Sequence, residues 1–249
     1  MSTPRIILVT GAAQNIGAAI AERFLKAGDT VICADLNEPE NPGMTFIRTD
    51  VADEASVSAL MGQIEERYGH LNVLVNNAGI CVETPIHELT EQEWDRVMAV
   101  NVKSTFLTTK YARKLLTNPA STSPAIVNIS SIEGLGANPL HSVYAASKAA
   151  VAAFTHNTAL EYGPLGIRCN SVAPGWINTP FNEQLLAAYP DRQVVDQAIE
   201  ALHPVGRLGL PEDVANMVFW LASTESGFVT GQEFVVDGGR LAKLPLPNL

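Results

Sequence analysis

Disulfides, metal-thiolate spacings, membrane spans and surplus positive charge are all missing from this 249-residue chain. Its three cysteines, Cys33, Cys81 and Cys169, are widely spaced, odd in number and form no CxxC pair. A disulfide framework is therefore excluded, and no metal site is expected. Two of the three sit in apolar runs and read as buried free thiols, which implies a reducing, cytoplasmic setting. No apolar run reaches the roughly 18 residues of a transmembrane helix. Met1 to Arg5 leads into a strand pattern without the apolar core of a signal peptide. Lys and Arg number 16 against 26 Asp and Glu, a formal charge of −10. That balance argues against a nucleic-acid partner and otherwise only keeps the protein soluble. Hydrophobic residues make up 47% of the chain, enough for a large core, and the length fits one α/β domain.

What is present begins with Tyr144-Ala-Ala-Ser-Lys148, a phenol and an ammonium four residues apart on one face of a helix. An unperturbed tyrosine titrates near about 10, so bringing it to neutrality requires roughly 3 units, or about 4 kcal/mol, of phenolate stabilisation. A fixed positive charge one turn away is a direct source of it. By itself the pair also reads as two surface residues of an amphipathic helix. Ser131 ends the apolar run Ala125–Ser131, thirteen residues before Tyr144.

Near the start, Arg5-Ile-Ile-Leu-Val-Thr10 runs into Gly11-Ala-Ala-Gln-Asn-Ile-Gly17. A stretch of helical period follows, with Ile16, Ile20, Phe24 and Ala27 on one side and Gly28 as its stop. Strand, glycine turn and helix together form a dinucleotide-binding context, because the turn lets a pyrophosphate approach the helix N-terminus. The next strand, Thr30–Asp35, ends in an acid eighteen residues after Gly17. A carboxylate there accepts from ribose hydroxyls and repels a 2′-phosphate. No Lys or Arg lies between Gly11 and Gly17 or from Leu36 to Met44, which favours NAD over NADP. Asp35 also reads as an ordinary turn residue.

Along nearly its whole length the chain resembles the short-chain dehydrogenase/reductase family. Thr10–Gly17, Asp50-Val51, Asn76-Asn77-Ala78-Gly79, Asn101, Ser131, Tyr144 with Lys148, and Pro174-Gly175 through Thr179 match its pattern in order and spacing. The resemblance implies that Ser131 binds the substrate oxygen, Tyr144 transfers the proton, and Lys148 lowers the tyrosine's pKa and binds the nicotinamide ribose. Asn101 would anchor a water in a relay from Lys148. Asp50 and Val51 would flank the adenine, and Asn77, Ala78 and Gly79 would lie along the cofactor. Pro174, Gly175, the backbone of Ile177 and the hydroxyl of Thr179 would hold the carboxamide. One position departs: the family's middle loop glycine is Asn15 here, beside Ile16 and Gly17. Asn tolerates positive φ better than other non-glycine residues, so the turn survives.

The pattern of alternating strands and helices predicts a single-domain, Rossmann-type, doubly wound parallel sheet of about seven strands with helices on both faces. Leu36 to Gly43 reads as a loop in place of a crossover helix. Thr90-Glu-Gln-Glu93 is a capping box opening a long helix, with Asn101 on a face shared with Trp94 and Val97. Pro211 starts a later helix, with Val214, Met217, Val218 and Leu221 inward. Residues 181–210 are expected to form a substrate lid. Glu133 is the unusual pocket candidate, either an acceptor for a substrate hydroxyl or a solvated loop acid.

These readings point to an NAD-dependent oxidoreductase for a secondary alcohol or ketone of the polyol, sugar, cyclic alcohol or hydroxysteroid class. The alternatives are an NADP-dependent carbonyl or 3-oxoacyl-thioester reductase and a non-catalytic NAD sensor. Small residues on the 144–162 helix (Ala145, Ala149, Ala152, Ala153), Phe106 and Tyr111 on its neighbour, and the apolar tail Leu241–Leu249 point to a homotetramer.

Overall fold

The computed structural model describes residues 4–180 and 192–243, so the first part of the expected lid, Phe181–Asp191, and the end of the apolar tail, Leu244–Leu249, lie outside it. Seven parallel strands form one sheet in the order β3-β2-β1-β4-β5-β6-β7. They are β1 Ile6–Thr10, β2 Thr30–Asp35, β3 Thr45–Arg48, β4 Val73–Asn76, β5 Ala125–Ile129, β6 Arg168–Pro174 and β7 Glu233–Val236. Helices α1 Asn15–Leu25, α2 Glu54–Tyr68, α3 Glu91–Met98, α4 Ser104–Leu116, α5 Ser142–Tyr162, α6 Arg192–Ala201 and α7 Pro211–Leu221 make the crossovers.

Alternation along the strands feeds two cores. Ile7 and Val9 of β1, Val31 and Cys33 of β2, and Val73 and Val75 of β4 face α1 and α7, where Ile20, Phe24, Val214 and Val218 are fully buried. Their neighbours Leu8, Ile32 and Leu74 face α2 and α4, against Val57, Leu60, Ile64 and Leu107. Strands buried on both faces need a continuous β-branched and aliphatic run, as these have. Met217 packs against the first core only partly buried.

The chain between β2 and β3 contains no helix, as its Pro and Asn content predicts. Thr90 caps α3 through both halves of a capping box, its hydroxyl accepting from Glu93 N at 3.2 Å. The expected long helix runs from Glu91 to Leu116, but it is not regular throughout. Ala99–Lys103 forms a π-helical turn between α3 and α4. Asn101 lies within it and is buried with Val97, whereas Trp94 is exposed, so the predicted shared face holds only in part. The physical reason is the amide of Asn101. Its Oδ1 accepts from Ile80 N at 2.8 Å, and its Nδ2 donates to Ile80 O and Ser147 Oγ, each at 2.9 Å. A π turn places such a side chain one step off the regular helix face, and here it pairs loop backbone that would otherwise be buried unmatched.

Candidate active site

β1 and β4 are neighbours whose connections run to opposite sides, and at the carboxyl ends of such strands a crevice opens. A cavity of about 930 Å³ occupies it. It extends from Asp35, Asp50 and Val51 at one end, over the glycine turn, to Ser131, Tyr144 and Lys148 at the other. Of the residues the sequence assigns to the cofactor, only Thr179 is missing from its walls. Thr179 is buried, and its hydroxyl donates to Ile177 O at 3.5 Å.

The turn after β1 has no room for side chains where it matters. A Cβ on Gly17 would stand 2.0 Å from Gly11 O and 2.5 Å from Asn77 Nδ2. Gly11 itself has φ +63, and a Cβ there would lie 2.9 Å from Ala78 Cα. Asn77 holds this packing together, its Nδ2 donating to Thr10 O at 3.0 Å and Gly11 O at 2.9 Å. Its side chain is thus a latch for the turn. Thr10 completes the latch by accepting from Asn77 N and Ala78 N, at 3.0 and 3.1 Å. Asn15 adopts φ 55, the left-handed geometry a glycine would supply. The N-terminus of α1 carries no side-chain cap and no acid in its first turn, and Gln14 to Gly17 face the cavity. Free amides at a helix start suit a pyrophosphate.

Asp35 closes the adenosine end. Its Oδ2 accepts from Ala13 N and its Oδ1 from Asn37 N, both at 3.0 Å. The carboxylate is therefore held over the turn. Arg48 of β3 pairs with Asp35 in register, but it is exposed and does not line the cavity.

At the other end Ser131 follows β5, and α5 presents Tyr144 and Lys148 beside it. Lys148 is buried and donates from Nζ to Ile129 O at 2.9 Å. Its Nζ lies 5.6 Å from the centroid of the Tyr144 ring. A Cβ on Gly79 would stand 3.3 Å from Lys148 Nζ and 3.4 Å from Asn101 Oδ1, so Asn101 backs the same corner without lining the cavity.

Residues 11–240 match a family model described as enoyl-(acyl carrier protein) reductase. A cis-4-hydroxycyclohexanecarboxylate dehydrogenase of Sinomonas cyclohexanicum is 40% identical, over 96% of this chain and 97% of its own. A (3R)-3-hydroxyacyl-CoA dehydrogenase of Canis lupus familiaris is 38% identical, over 94% and 95%. The ligand-free aldohexose dehydrogenase of Thermoplasma acidophilum superposes with a TM-score of 0.94 at 36% identity, over 99% of this chain and 97% of that one. The chain belongs to the short-chain dehydrogenase/reductase family. It is an oxidoreductase of that family, whose members use nicotinamide cofactors. The Cβ-free turn, the uncapped helix start and the fixed Asp35 all fit such a dinucleotide.

In this dehydrogenase/reductase the electrostatics of the catalytic end run against the simple expectation. Burial pushes the Tyr144 phenol upward, and Glu133 adds to the rise, while a hydrogen bond with Ser131 opposes it. Burial brings Lys148 down to about 8. Each shift has the same cause: withdrawal from water penalises the charged form of either group. Lys148 alone, held on Ile129 O, does not bring the phenol down. The bound cofactor's charge would enter this balance.

Sequence reasoning missed several walls of the cavity. Trp176 and Arg240 line it, with the guanidinium 5.4 Å from the indole centroid. His141 and Glu83 line it as well. The position of His141 three residues before Tyr144 was the available signal for it. Glu133 is not a solvated loop acid. Its side chain is 11% exposed, and Asn138 donates to it from backbone N at 3.1 Å and from Nδ2. Cys33 and Cys169 are buried free thiols as predicted, and Cys81, also free, stands half-buried in the wall.

Proposed function

We propose that this chain is an NAD-dependent oxidoreductase interconverting a secondary alcohol and its ketone. Asp35 carries the reading on the cofactor. Its carboxylate sits where the adenosine ribose would lie, fixed by two backbone amides, and would accept from free 2′- and 3′-hydroxyls. A 2′-phosphate would meet that charge at close range.

In the oxidation direction, Ser131 Oγ hydrogen-bonds the substrate hydroxyl oxygen. Tyr144, as phenolate, takes the hydroxyl proton while hydride leaves the carbinol carbon. The nicotinamide supplies the hydride acceptor when bound. Lys148 would hold the nicotinamide ribose and return the proton toward solvent, with Asn101 fixing the corner through Ile80. Reduction runs the same transfers in reverse.

The substrate end is polar, with Glu133, Asn138 and His141 beside Trp176. That favours a hydroxyl-rich sugar, polyol or cyclic alcohol, and the Thermoplasma and Sinomonas relatives are named for an aldohexose and a cyclic hydroxy acid. Arg240 in the same wall would suit a carboxylate on the substrate. An NADP-dependent 3-oxoacyl-thioester reductase is the competing assignment, and a non-catalytic sensor leaves Ser131, Tyr144 and Lys148 without a purpose.

Asp35→Ala combined with Leu36→Arg is expected to move the NAD to NADP ratio of kcat/KM toward NADP by about tenfold or more, equivalent to at least ~1.4 kcal/mol. Side-by-side kinetics on sugars, polyols, cyclic alcohols, hydroxysteroids and a 3-hydroxyacyl thioester check this. A wild type that already prefers NADP overturns the assignment.

We further propose a cytoplasmic homotetramer. Ala149, Ala153 and Leu160 are exposed on α5 and Phe106 on α4, leaving apolar surface for a two-fold pairing of these helices. Ala145 and Ala152 are more buried and belong to the chain's own packing. Light scattering should give four times the chain mass at micromolar concentration, and a monomer there rules the proposal out.

A further inference from the structure

Acid–base groups outside the Ser131, Tyr144 and Lys148 triangle converge on His141. Its Nε2 lies 3.3 Å from Glu83 Oε1, and its Nδ1 lies 3.5 Å from Glu133 Oε1. The three side chains come from separate segments: the loop after β4, the 3-10 turn after β5, and the residue that precedes α5. Backbone ties reinforce the meeting point. Thr84 N donates to Leu140 O at 3.0 Å, and His141 O accepts from Ala145 N at 2.8 Å, in the first turn of α5.

The imidazole also stands edge-on to Tyr144, with ring centroids 6.3 Å apart. The His141 side chain is 18% exposed and that of Glu133 is 11% exposed, so water screens little of their charge. Glu133 and Cys81 are among the groups that hold the Tyr144 phenol up, and burial keeps the Cys81 thiol neutral, at about 12. Lys148 Nζ lies 5.6 Å from the centroid of the Tyr144 ring. Glu133 is thus the carboxylate that opposes a phenolate here, and His141 is the base placed against it, a cation only when protonated. A neutral imidazole has one N–H for two carboxylates, whereas the protonated ring has one for each.

We propose that His141 is a positioning residue for proton transfer at Tyr144. Held as an imidazolium between Glu83 and Glu133, it cancels the carboxylate field that opposes the phenolate and pins the start of α5 to both loops. This rests on the reading of Tyr144 as the proton-transfer group. The environment agrees in direction: the nearby Glu133 carboxylate raises His141, and burial opposes it less strongly. Burial alone would raise Glu133, but the adjacent His141 and the hydrogen bonds from Asn138 leave it lowered. The pair therefore contributes its full stability below the ordinary histidine value of about 6.5 and above the ordinary range of Glu, and loses it as pH rises through the raised histidine value.

His141→Gln keeps a hydrogen-bonding side chain and removes the charge. In NAD-linked oxidation, the rising limb of log kcat/KM against pH is expected to move up by about one unit, because an uncompensated carboxylate then faces the phenolate. Adding Glu133→Gln in the same protein should bring the limb back toward its wild-type position. A limb that stays put in His141→Gln, whatever happens to kcat or to melting, overturns the proposal and leaves His141 merely structural. NMR titration of the full-length protein, with His141 assigned by its loss in the variant, supplies a readout that needs no turnover. An imidazole midpoint clearly above 6.5 supports the clamp, and one at or below it overturns the clamp. If Tyr144→Phe remains active, the reading of Tyr144 has failed, and the proposal falls with it even where the NMR shows a charged His141.

Discussion

Tyr144→Phe is expected to lower kcat by about 10³-fold or more, within or above the usual range for general acid–base groups. NADH affinity should change by less than about threefold, because the cofactor's long contact surface lies elsewhere in the cavity. Ser131 is the neighbour that opposes the rise at the phenol, and phenylalanine keeps the ring while deleting the reacting oxygen. The other acid–base groups described in this corner are engaged elsewhere, His141 between Glu83 and Glu133. Lys148 is committed to Ile129 O, and the Cys81 thiol is held neutral by burial. Stopped-flow and steady-state rates measured with NADH titrations on the same preparation check both halves. A rate near wild type would remove Tyr144 from the chemistry, whereas a parallel loss of NADH binding would show the ring to be a cofactor support.

The candidate site was legible in the sequence to the extent that it rests on local periodicity and spacing. Tyr144 and Lys148 share a helix face by counting, and Gly11 to Gly17 reads from its flanks. The loop at Leu36–Gly43, the cap at Thr90 and the helix start at Pro211 likewise follow from residues close in the chain. Two kinds of information were not local. The π turn at Ala99–Lys103 exists because Asn101 meets the backbone of Ile80, twenty-one residues earlier, and no periodicity encodes that meeting. The Glu83, His141 and Glu133 cluster joins segments that the sheet order brings together, so Glu83 and His141 looked like ordinary loop residues alone, and Glu133 stood out without its partners. The rise at Tyr144 in the cofactor-free chain was not legible for a related reason. Sequence shows the cation one turn away, but burial, which dominates, is a property of the folded chain.

The glycine turn gives the other large expected effect. Gly17→Ala inserts a methyl that would stand 2.0 Å from Gly11 O, with Asn77 Nδ2 at 2.5 Å. Neither neighbour yields easily, since Gly11 is backbone and Asn77 is tied to Thr10 O and Gly11 O. The turn must therefore shift, at a cost of about 1–3 kcal/mol for overpacking. That shift falls on the amides that open α1 toward the cavity. If most of the upper figure is lost from binding, NADH weakens by about 100-fold. Asn15→Gly is the matched control. It sits two residues away at φ 55, where glycine relieves left-handed strain, and it should retain NADH affinity within about threefold. Calorimetric titration of NADH with thermal melting of both variants separates the cases. A Gly17→Ala protein that melts and binds as the wild type does would show that the latch of Thr10, Gly11 and Asn77 can open without cost. Its tight packing would then not be what shapes the pyrophosphate site.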